Sequence, residues 1–266
     1  MTMQNTMQST IDIHGESISI DTVEKIFPTR DGKLIHALAE TSLTIKPGEF
    51  VSVLGPSGCG KSTLLRLIAG LDQPTSGEVR LGDDVVVQPS EKIGIAFQQS
   101  VLMPWYTVEE NIKLPAVLQK KLTTAEIDAK CEELLEIVKL PGLGKKYPNE
   151  LSGGMQQRVA IARSLITSPS VILMDEPFAA LDAITREHMN DELLSVWAVT
   201  GATVFFITHD IAEAVYMSDR VIVMSPRPGR IVADISLDFP RPRGPQTREF
   251  PEFSHLLNEI RALINH

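Results

Sequence analysis

Apolar and polar residues alternate along two stretches near the start of the chain. Residues 17–25 show this alternation, and residues 38–45 repeat it. A period of two residues is typical of a β-strand with one buried face. The dipeptides Asp31-Gly32 and Pro47-Gly48 are turn signals. The pattern therefore predicts two half-buried strands that end at these turns.

Four other stretches are short and continuously apolar, which indicates strands that are buried on both faces. They are residues 51–54, 171–174, 204–207 and 221–224. Residues with helical spacing separate the second run from the third, as in a parallel β–α–β unit. The pattern predicts an α/β fold that is built on a parallel sheet.

Residues 104–150 differ in character and predict a helical insertion between strands of the main sheet. Thr123-Thr-Ala-Glu126 is similar to a capping box, in which two side chains satisfy backbone amides at a helix start. Pro141-Gly142 ends this predicted helix. A last amphipathic helix is predicted within residues 247–266, after Pro251.

The composition narrows the classes of function. The 266 residues carry a formal net charge of -9 at pH 7, which argues against a broad nucleic-acid-binding surface. Cys59 and Cys131 are too few for a disulfide framework, so a reducing compartment is expected. No apolar run approaches the roughly 20 residues that a membrane-spanning helix needs, and the chain shows no secretory signal pattern. Residues 1–16 are expected to form a flexible tail.

A glycine-rich loop follows the apolar run 51–54 and precedes a helical stretch. Its sequence is Gly55-Pro-Ser-Gly-Cys-Gly-Lys-Ser62. Glycines allow backbone amides to turn towards anionic oxygens, and the helix N-terminus adds partial positive charge. Lys61 is expected to reach the outer phosphates of a nucleotide, and the Ser62 hydroxyl to bind Mg²⁺. The alternative is an ordinary glycine-rich turn, which the flanking strand and helix disfavour.

Two carboxylates, Asp175 and Glu176, follow the apolar run 171–174. Ligands bind at the carboxyl ends of strands in parallel sheets. Asp175 is expected to hold Mg²⁺, and Glu176, which points in another direction, is expected to contact the attacking water. An exposed acidic turn is the alternative, but a phosphate-binding loop in the same chain favours the catalytic interpretation.

A second glycine-rich helix start lies at Ser152-Gly153-Gly154. Ser152 is a typical N-cap residue, and the two glycines leave backbone amides accessible at the helix start. Glycines in a first turn cost about 1 kcal/mol each, which a plain capped helix does not require. Since the chain already carries its own phosphate loop, this helix start predicts a surface that contacts the nucleotide of a second chain.

The octapeptide Leu151-Ser-Gly-Gly-Met-Gln-Gln-Arg158 resembles the signature motif of the ATPases of ABC transporters. Together with Lys61 and Glu176 the motif is highly specific, and the resemblance covers nearly the whole chain. It implies an α/β fold with a P-loop NTPase (RecA-like) core, an antiparallel β subdomain and an inserted α-helical subdomain. The ATPase domain is expected over residues 17–246, with the helical subdomain at about 100–165.

The resemblance also implies roles for single residues. Gln98 is similar to the Q-loop glutamine, which implies a contact with Mg²⁺ and a response to the membrane partner. His209 resembles the switch histidine, which implies a contact with the γ-phosphate. Asp182 resembles the aspartate of the D-loop, which crosses the dimer interface. Phe27 falls where the family places an aromatic residue that stacks on adenine; a core position is the alternative.

These assignments give three sets of expected site residues. The catalytic residues are Glu176, His209 and Lys61, and the ligands of Mg²⁺ are Ser62, Gln98 and Asp175. The expected contacts with ATP, within one chain or across a dimer, are Phe27, Gly55, Pro56, Ser57, Gly58, Cys59, Gly60, Lys61, Ser62, Thr63, Gln98, Ser152, Gly153, Gly154, Gln156 and Asp182.

The resemblance implies partners as well as cofactors. Two ATPase chains are expected to enclose ATP and Mg²⁺ head to tail and to drive separate permease subunits from the cytoplasmic face of the inner membrane. A periplasmic substrate-binding protein is expected to take part indirectly, and no nucleic acid is expected. Residues 102–106 are the candidate docking surface because exposed Trp105 and Tyr106 suit an interface; a core position for Trp105 is the alternative.

Three short segments resemble one subgroup of the family. Residues 102–105, 225–232 and 240–243 resemble those of ATPases that energise importers of nitrate, sulfonates or taurine, which implies a small anionic solute. The alternatives are an exporter subunit and a non-transport ABC ATPase that acts in DNA repair or on ribosomes. The arginines of these and nearby segments are expected to lie on a solvated face, with a lipid-headgroup contact as the alternative; they are Arg227, Arg230, Arg241, Arg243 and Arg248.

Overall fold

The computed structural model describes residues 15–179 and 181–265. Most of the expected flexible tail, residues 1–14, lies outside this range. The strands of the described part are β1 (Ile18–Pro28), β2 (Leu34–Ile45), β3 (Phe50–Leu54), β4 (Ser76–Leu81), β5 (Asp84–Val85), β6 (Ile93–Ala96), β7 (Val171–Asp175), β8 (Thr203–Ile207), β9 (Arg220–Met224) and β10 (Ile231–Ser236). The α-helices are α1 (Lys61–Ile68), α2 (Val108–Gln119), α3 (Thr124–Ile137), α4 (Gly153–Leu165), α5 (Ala183–Thr200), α6 (Ile211–Met217) and α7 (Pro251–Asn265).

The strands form two sheets. The larger sheet has the order β10-β9-β3-β8-β7-β6, and all its pairs are parallel except β10 with β9. The smaller sheet, β2-β1-β4-β5, is antiparallel. This arrangement confirms the predicted α/β core with an antiparallel β subdomain. Every residue of β3 and β8 is buried, as the continuous apolar runs predicted.

The chain between β6 and β7 supplies the helices α2, α3 and α4. Capping boxes start α2 at Thr107 and α3 at Thr123, where each threonine hydroxyl accepts from the amide of the glutamate three residues later. These reciprocal bonds satisfy amides that the first helical turn leaves without partners. The insertion packs on the main sheet through a continuous apolar cluster.

Helix α7 begins at Pro251, where the sequence predicted it, and buries Phe253 and Ile260 against the core. None of the helices described between residues 15 and 265 combines the length and apolarity needed to cross a membrane. Cys59 and Cys131 are both free thiols and both buried.

The prediction of a solvated arginine face is wrong for three of its five residues. Arg227 and Arg230 are exposed, but the Arg243 side chain is fully buried. Its Nη1 donates to the carbonyl oxygens of Tyr216 (2.8 Å) and Val215 (3.1 Å), at the end of α6. The last carbonyls of a helix attract a cation, which explains why this guanidinium lies inside. Burial lowers the pKa of Arg243 to about 10.

Aromatic faces hold the other two arginines. The Arg241 guanidinium lies 4.1 Å from the Trp197 ring centroid and donates to Asp219 Oδ1 at 2.7 Å. The Arg248 guanidinium lies 4.3 Å from the centroid of Tyr216. Arginine stacks readily on aromatic rings because its cation is planar and weakly hydrated. The segment before α7 is therefore attached to the core through its cations.

Candidate active site

The loop between β3 and α1 has the form of a phosphate-binding loop. Gly60 has a φ of +106°, and a Cβ at this position would lie 2.7 Å from Leu38 Cδ2 and 3.0 Å from the Ala37 carbonyl oxygen. Both the backbone conformation and the space therefore require glycine. Ser57 and Gly58 are exposed at the tip, whereas Cys59 is buried. The loop thus presents main-chain groups to a ligand rather than the Cys59 thiol.

Lys61 lies inside this loop at the start of α1. Its side chain is buried, and its Nζ donates to the carbonyl oxygens of Gly55 at 2.8 Å and Pro56 at 3.1 Å. These contacts hold the ammonium group beside the loop amides and the helix N-terminus. The three positive features together favour a polyanionic ligand.

Asp175 ends β7 beside the loop. Burial raises the pKa of this carboxyl, the Ser62 hydroxyl and Lys61 lower it, and Glu176 raises it further. The structure therefore brings together Ser62 and Asp175, two of the three residues expected to bind Mg²⁺. Hydroxyl and carboxylate oxygens are suitable ligands for a hard divalent cation.

Glu176 is the centre of a second group of side chains. Its Oε2 lies 3.2 Å from Gln98 Nε2 and 3.3 Å from His209 Nδ1. The three residues follow β6, β7 and β8, which are neighbours in the parallel sheet. Since parallel strands end at the same edge, residues far apart in sequence meet there. The predicted catalytic carboxylate, Q-loop glutamine and switch histidine thus meet at one oxygen atom.

The backbone of Glu176 is unusual. Its φ is +46°, a left-handed conformation that costs a non-glycine residue about 1–3 kcal/mol and is concentrated at functional sites. Its amide donates to the Ile207 carbonyl oxygen at 2.9 Å, which holds this turn against β8. The turn directs Glu176 towards Gln98 and His209, while Asp175 faces Ser62.

The start of α4 is exposed and positively polarised. Ser152 is its N-cap, and the Oγ atom accepts from the Met155 amide at 3.3 Å. A Cβ on Gly153 would meet no atom within 4 Å, whereas one on Gly154 would lie 2.7 Å from Leu181 Cδ2. Packing within this chain explains Gly154 but does not require a glycine at position 153.

The residues after Ser152 tie α4 to the chain that follows β6. Gln157 Nε2 donates to the Phe97 carbonyl oxygen at 2.8 Å. Arg163 donates to the carbonyl oxygens of Ser100 at 2.8 Å and Val101 at 2.9 Å. Side chains of α4 thereby hold the backbone of the segment that contains Gln98. The sequence did not predict these hydrogen bonds.

Gln156 and Asp182 have partners within the chain. Gln156 Nε2 donates to the Pro148 carbonyl oxygen at 2.9 Å. Asp182 is the N-cap of α5, and the Thr185 amide, at 3.0 Å, lowers the pKa of its carboxyl. Both residues stabilise local structure, and their predicted contacts across a dimer remain predictions.

Phe27 lies half-buried on β1, opposite Ile35 of β2. Lys25 Nζ lies 4.7 Å from its ring centroid. The ring is therefore not part of the fully buried core, and its predicted contact with adenine remains a prediction.

The turn between β9 and β10 supports the phosphate loop from behind. Arg227 Nε donates to the Gly58 carbonyl oxygen at 3.3 Å. A Cβ on Gly229 would overlap the carbonyl oxygen of Cys59. No local pattern in residues 226–229 indicates which loop this turn contacts.

Comparison with known proteins finds a matching family model and similar chains. The family model for ABC transporters matches residues 38–179. An aliphatic sulfonates import ATP-binding protein, SsuB of Bacillus cereus, is 46% identical over 236 residues, which cover 89% of this chain and 92% of that protein. An uncharacterized ABC transporter ATP-binding protein of Methanocaldococcus jannaschii, MJ0412, is 47% identical over 236 residues, with 89% and 88% covered.

Solved structures give the same result for the fold. The dimeric post-hydrolysis structure of the ATP-binding cassette MJ0796, bound to ADP and Pi, superposes with a TM-score of 0.76 at 36% identity. The match covers 84% of this chain and 99% of that one. A second dimeric structure of MJ0796 gives a TM-score of 0.77 at 37% identity.

Proposed function

Because this chain belongs to the ABC transporter family and is an ATPase, we propose that it energises an importer of a small sulfonate or a related anion. The contact of Gln98 and His209 with one oxygen of Glu176 is the observation that supports the catalytic part. The relatives named for the import of aliphatic sulfonates support the transport part. The chain would act at the cytoplasmic face of the inner membrane as a peripheral subunit.

The proposed reaction assigns one task to each group. Lys61 and the loop amides bind the phosphates of ATP and offset their charge. Glu176 accepts a hydrogen bond from the attacking water, orients it and takes its proton as a general base. His209, which contacts Glu176 Oε2, supports the γ-phosphate. Most of the rate enhancement comes from positioning and charge stabilisation, as in other phosphoryl transfers.

The residues fit a magnesium ion. Ser62 and Asp175 supply neighbouring oxygen atoms, and Gln98 directs its amide nitrogen to Glu176, which leaves its carbonyl oxygen as a ligand. Magnesium is bound in such sites by few protein oxygens together with phosphate oxygens. When bound, the ion would neutralise charge that develops on the phosphates.

The exposed start of α4 supports a head-to-tail dimer. Ser152 and Gly153 present exposed backbone amides that are not part of this chain's own phosphate-binding loop. Position 153 also has free space around it. We propose that they contact the γ-phosphate of ATP bound to a second chain. The dimeric structures of the cassette MJ0796 support this arrangement.

The insertion carries the proposed docking surface for the permease. Trp105 is 67% exposed, so it is not the core residue that the alternative interpretation required. Val101 and Leu118 are also exposed on this part of the chain. Exposed aromatic and aliphatic side chains are typical of interface anchors.

Replacement Trp105→Ala is expected to weaken association with the permease at least about thirtyfold, since aromatic anchors that become buried in an interface contribute about 2 kcal/mol or more. The measurement is co-purification with the permease after co-expression of both subunits. Val199→Ala is the matched control, because Val199 is similarly exposed, at 69%, but lies on α5. Equal recovery of the Trp105 variant and the control would exclude Trp105 from the interface.

The solute class is tested by reconstituting the chain with its permease and binding protein in vesicles. We expect taurine and short alkanesulfonates, delivered by the binding protein, to stimulate ATP hydrolysis more than nitrate does. Stimulation by nitrate alone would show that the transported anion is not a sulfonate. Stimulation by neither, with ATPase activity intact, would contradict the proposed solute class and leave the ATPase assignment unaffected.

A further inference from the structure

Glu213 is a buried carboxyl group that lies outside the proposed catalytic residues. It occupies the first turn of α6 and is 6% exposed. The Thr208 hydroxyl donates to its Oε2 at 2.5 Å in a buried contact. Few glutamates are buried without an ionic partner, so this one calls for a physical explanation.

The Thr208 hydroxyl also bonds to the backbone on the far side of His209 in the chain. Thr208 Oγ1 donates to Glu213 and accepts from the Asp210 amide at 3.0 Å. A hydroxyl has one hydrogen to donate and can accept at the same time, so both bonds form together. Since Thr208 and Asp210 are the neighbours of His209, this hydroxyl fixes the main chain that carries the histidine.

His209 has little packing of its own. Its side chain is 59% exposed, and its polar contact is the one with Glu176 Oε2 at 3.3 Å. An exposed imidazole that is not held by neighbours samples several rotamers. Its direction must therefore come mainly from the backbone of residues 208–210.

Charged and polar side chains surround Glu213 next to the backbone of residues 208–210. Asp210 Oδ2 accepts from Arg186 Nη1 at 3.1 Å, and Asn190 of α5 is 2% exposed. Burial raises the pKa of Glu213 to about 7, and Asp210 raises it too, whereas Thr208, Arg186 and Asn190 lower it. Among the described residues, Glu213 Oε1 and Asn190 Oδ1 have no hydrogen-bond partner. Such atoms are costly to bury.

We propose that Glu213 is a positioning residue for ATP hydrolysis: through the Thr208 hydroxyl it fixes the backbone of residues 208–210 and so directs His209 towards Glu176. The inference rests on the proposed catalytic role of His209. It gives this buried side chain a physical role. Glu213 itself touches neither ATP nor water in the reaction.

Two removals and two conservative replacements test this role. Glu213→Ala and Thr208→Val each break the bond between residues 213 and 208, and each is expected to lower kcat about tenfold to hundredfold, since small misplacements of catalytic groups have effects of this size. The KM for ATP is expected to stay unchanged. Glu213→Gln keeps an acceptor oxygen and Thr208→Ser keeps the hydroxyl, so both are expected to restore most of the lost kcat.

The pH profile supplies a readout that structural support alone would not change. The carboxylate accepts the Thr208 hydrogen better than the neutral acid does, although both keep an acceptor oxygen, so kcat of the unmodified chain is expected to rise only modestly with pH through about 7. Glu213→Gln removes this ionisation and is expected to flatten that rise. Because the folded-state pKa is raised above the usual value of 4.5, stability relative to Glu213→Gln is expected to fall as pH rises from about 4.5 to 7.

The outcomes separate this inference from the proposed function. The role of Glu213 is overturned if Glu213→Ala and Thr208→Val keep full kcat while His209→Ala loses turnover. It is also overturned if both variants lose ATP affinity and unfold early, because Glu213 would then support only the fold. If His209→Ala itself keeps full turnover, the catalytic role of His209 is wrong, and the inference fails with it.

Discussion

Replacement Glu176→Gln is expected to lower ATP turnover at least about hundredfold, because a glutamine cannot accept the proton that a general base takes. The shapes of the two side chains are nearly equal, so the loop that holds Lys61 stays intact and ATP still binds. Loss of one negative charge beside Asp175 also favours the nucleotide. The unhydrolysed ATP is then expected to hold two chains together.

Phosphate release and size-exclusion chromatography with saturating ATP measure the two effects. Glu252→Gln is the control, since Glu252 is an exposed carboxylate in the first turn of α7. A Glu176 variant that stays monomeric with bound ATP would contradict the head-to-tail dimer. One that hydrolyses ATP at the normal rate would exclude Glu176 as the base.

Replacement Ser152→Arg is expected to abolish turnover while the isolated chain still binds ATP. The arginine adds bulk and a cation at the exposed start of α4, where the second chain is proposed to approach. Ser152 lies at the helix start rather than in the phosphate loop, so the chain's own binding site is unchanged. Nucleotide affinity and turnover, measured on the same sample, test the two halves of this expectation.

Ser152→Ala separates the capping role from the contact across the dimer. It removes the hydrogen bond to the Met155 amide, which costs about 1 kcal/mol of stability, but it adds no bulk. Turnover of this control is expected to remain well above that of the arginine variant. If the isolated Ser152→Arg variant did not bind ATP, Ser152 would instead belong to the ATP-binding site of its own chain.

The strands and the phosphate loop were predictable because their signals are local. A buried parallel strand is apolar at every position, as residues 171–174 are, and a loop that needs positive φ uses glycine, as at Gly60. The family resemblance named Gln98, Glu176 and His209 without predicting that they meet at one oxygen atom. The rule that parallel strands end at one edge of a sheet explains this meeting once the strand order is known.

The missed features depend on contacts between distant segments. The expected solvated position of Arg243 was wrong because its acceptors are carbonyls of α6, which no pattern around residue 243 indicates. Glu213 lies in a helix start where glutamate is common, and only the tertiary structure shows that it is buried against Thr208. Sequence periodicity identifies which face is buried, but it does not identify hydrogen-bond partners.

The contacts between α4 and the segment after β6 have a consequence for divergence among related transporters. Gln157 and Arg163 hold the carbonyl oxygens of Phe97, Ser100 and Val101, and every amino acid has such an oxygen. Substitutions at these three positions can therefore leave the hydrogen bonds to α4 in place. Under the proposed docking of the neighbouring residues to a permease, a lineage could change the side chains of this segment without losing these bonds.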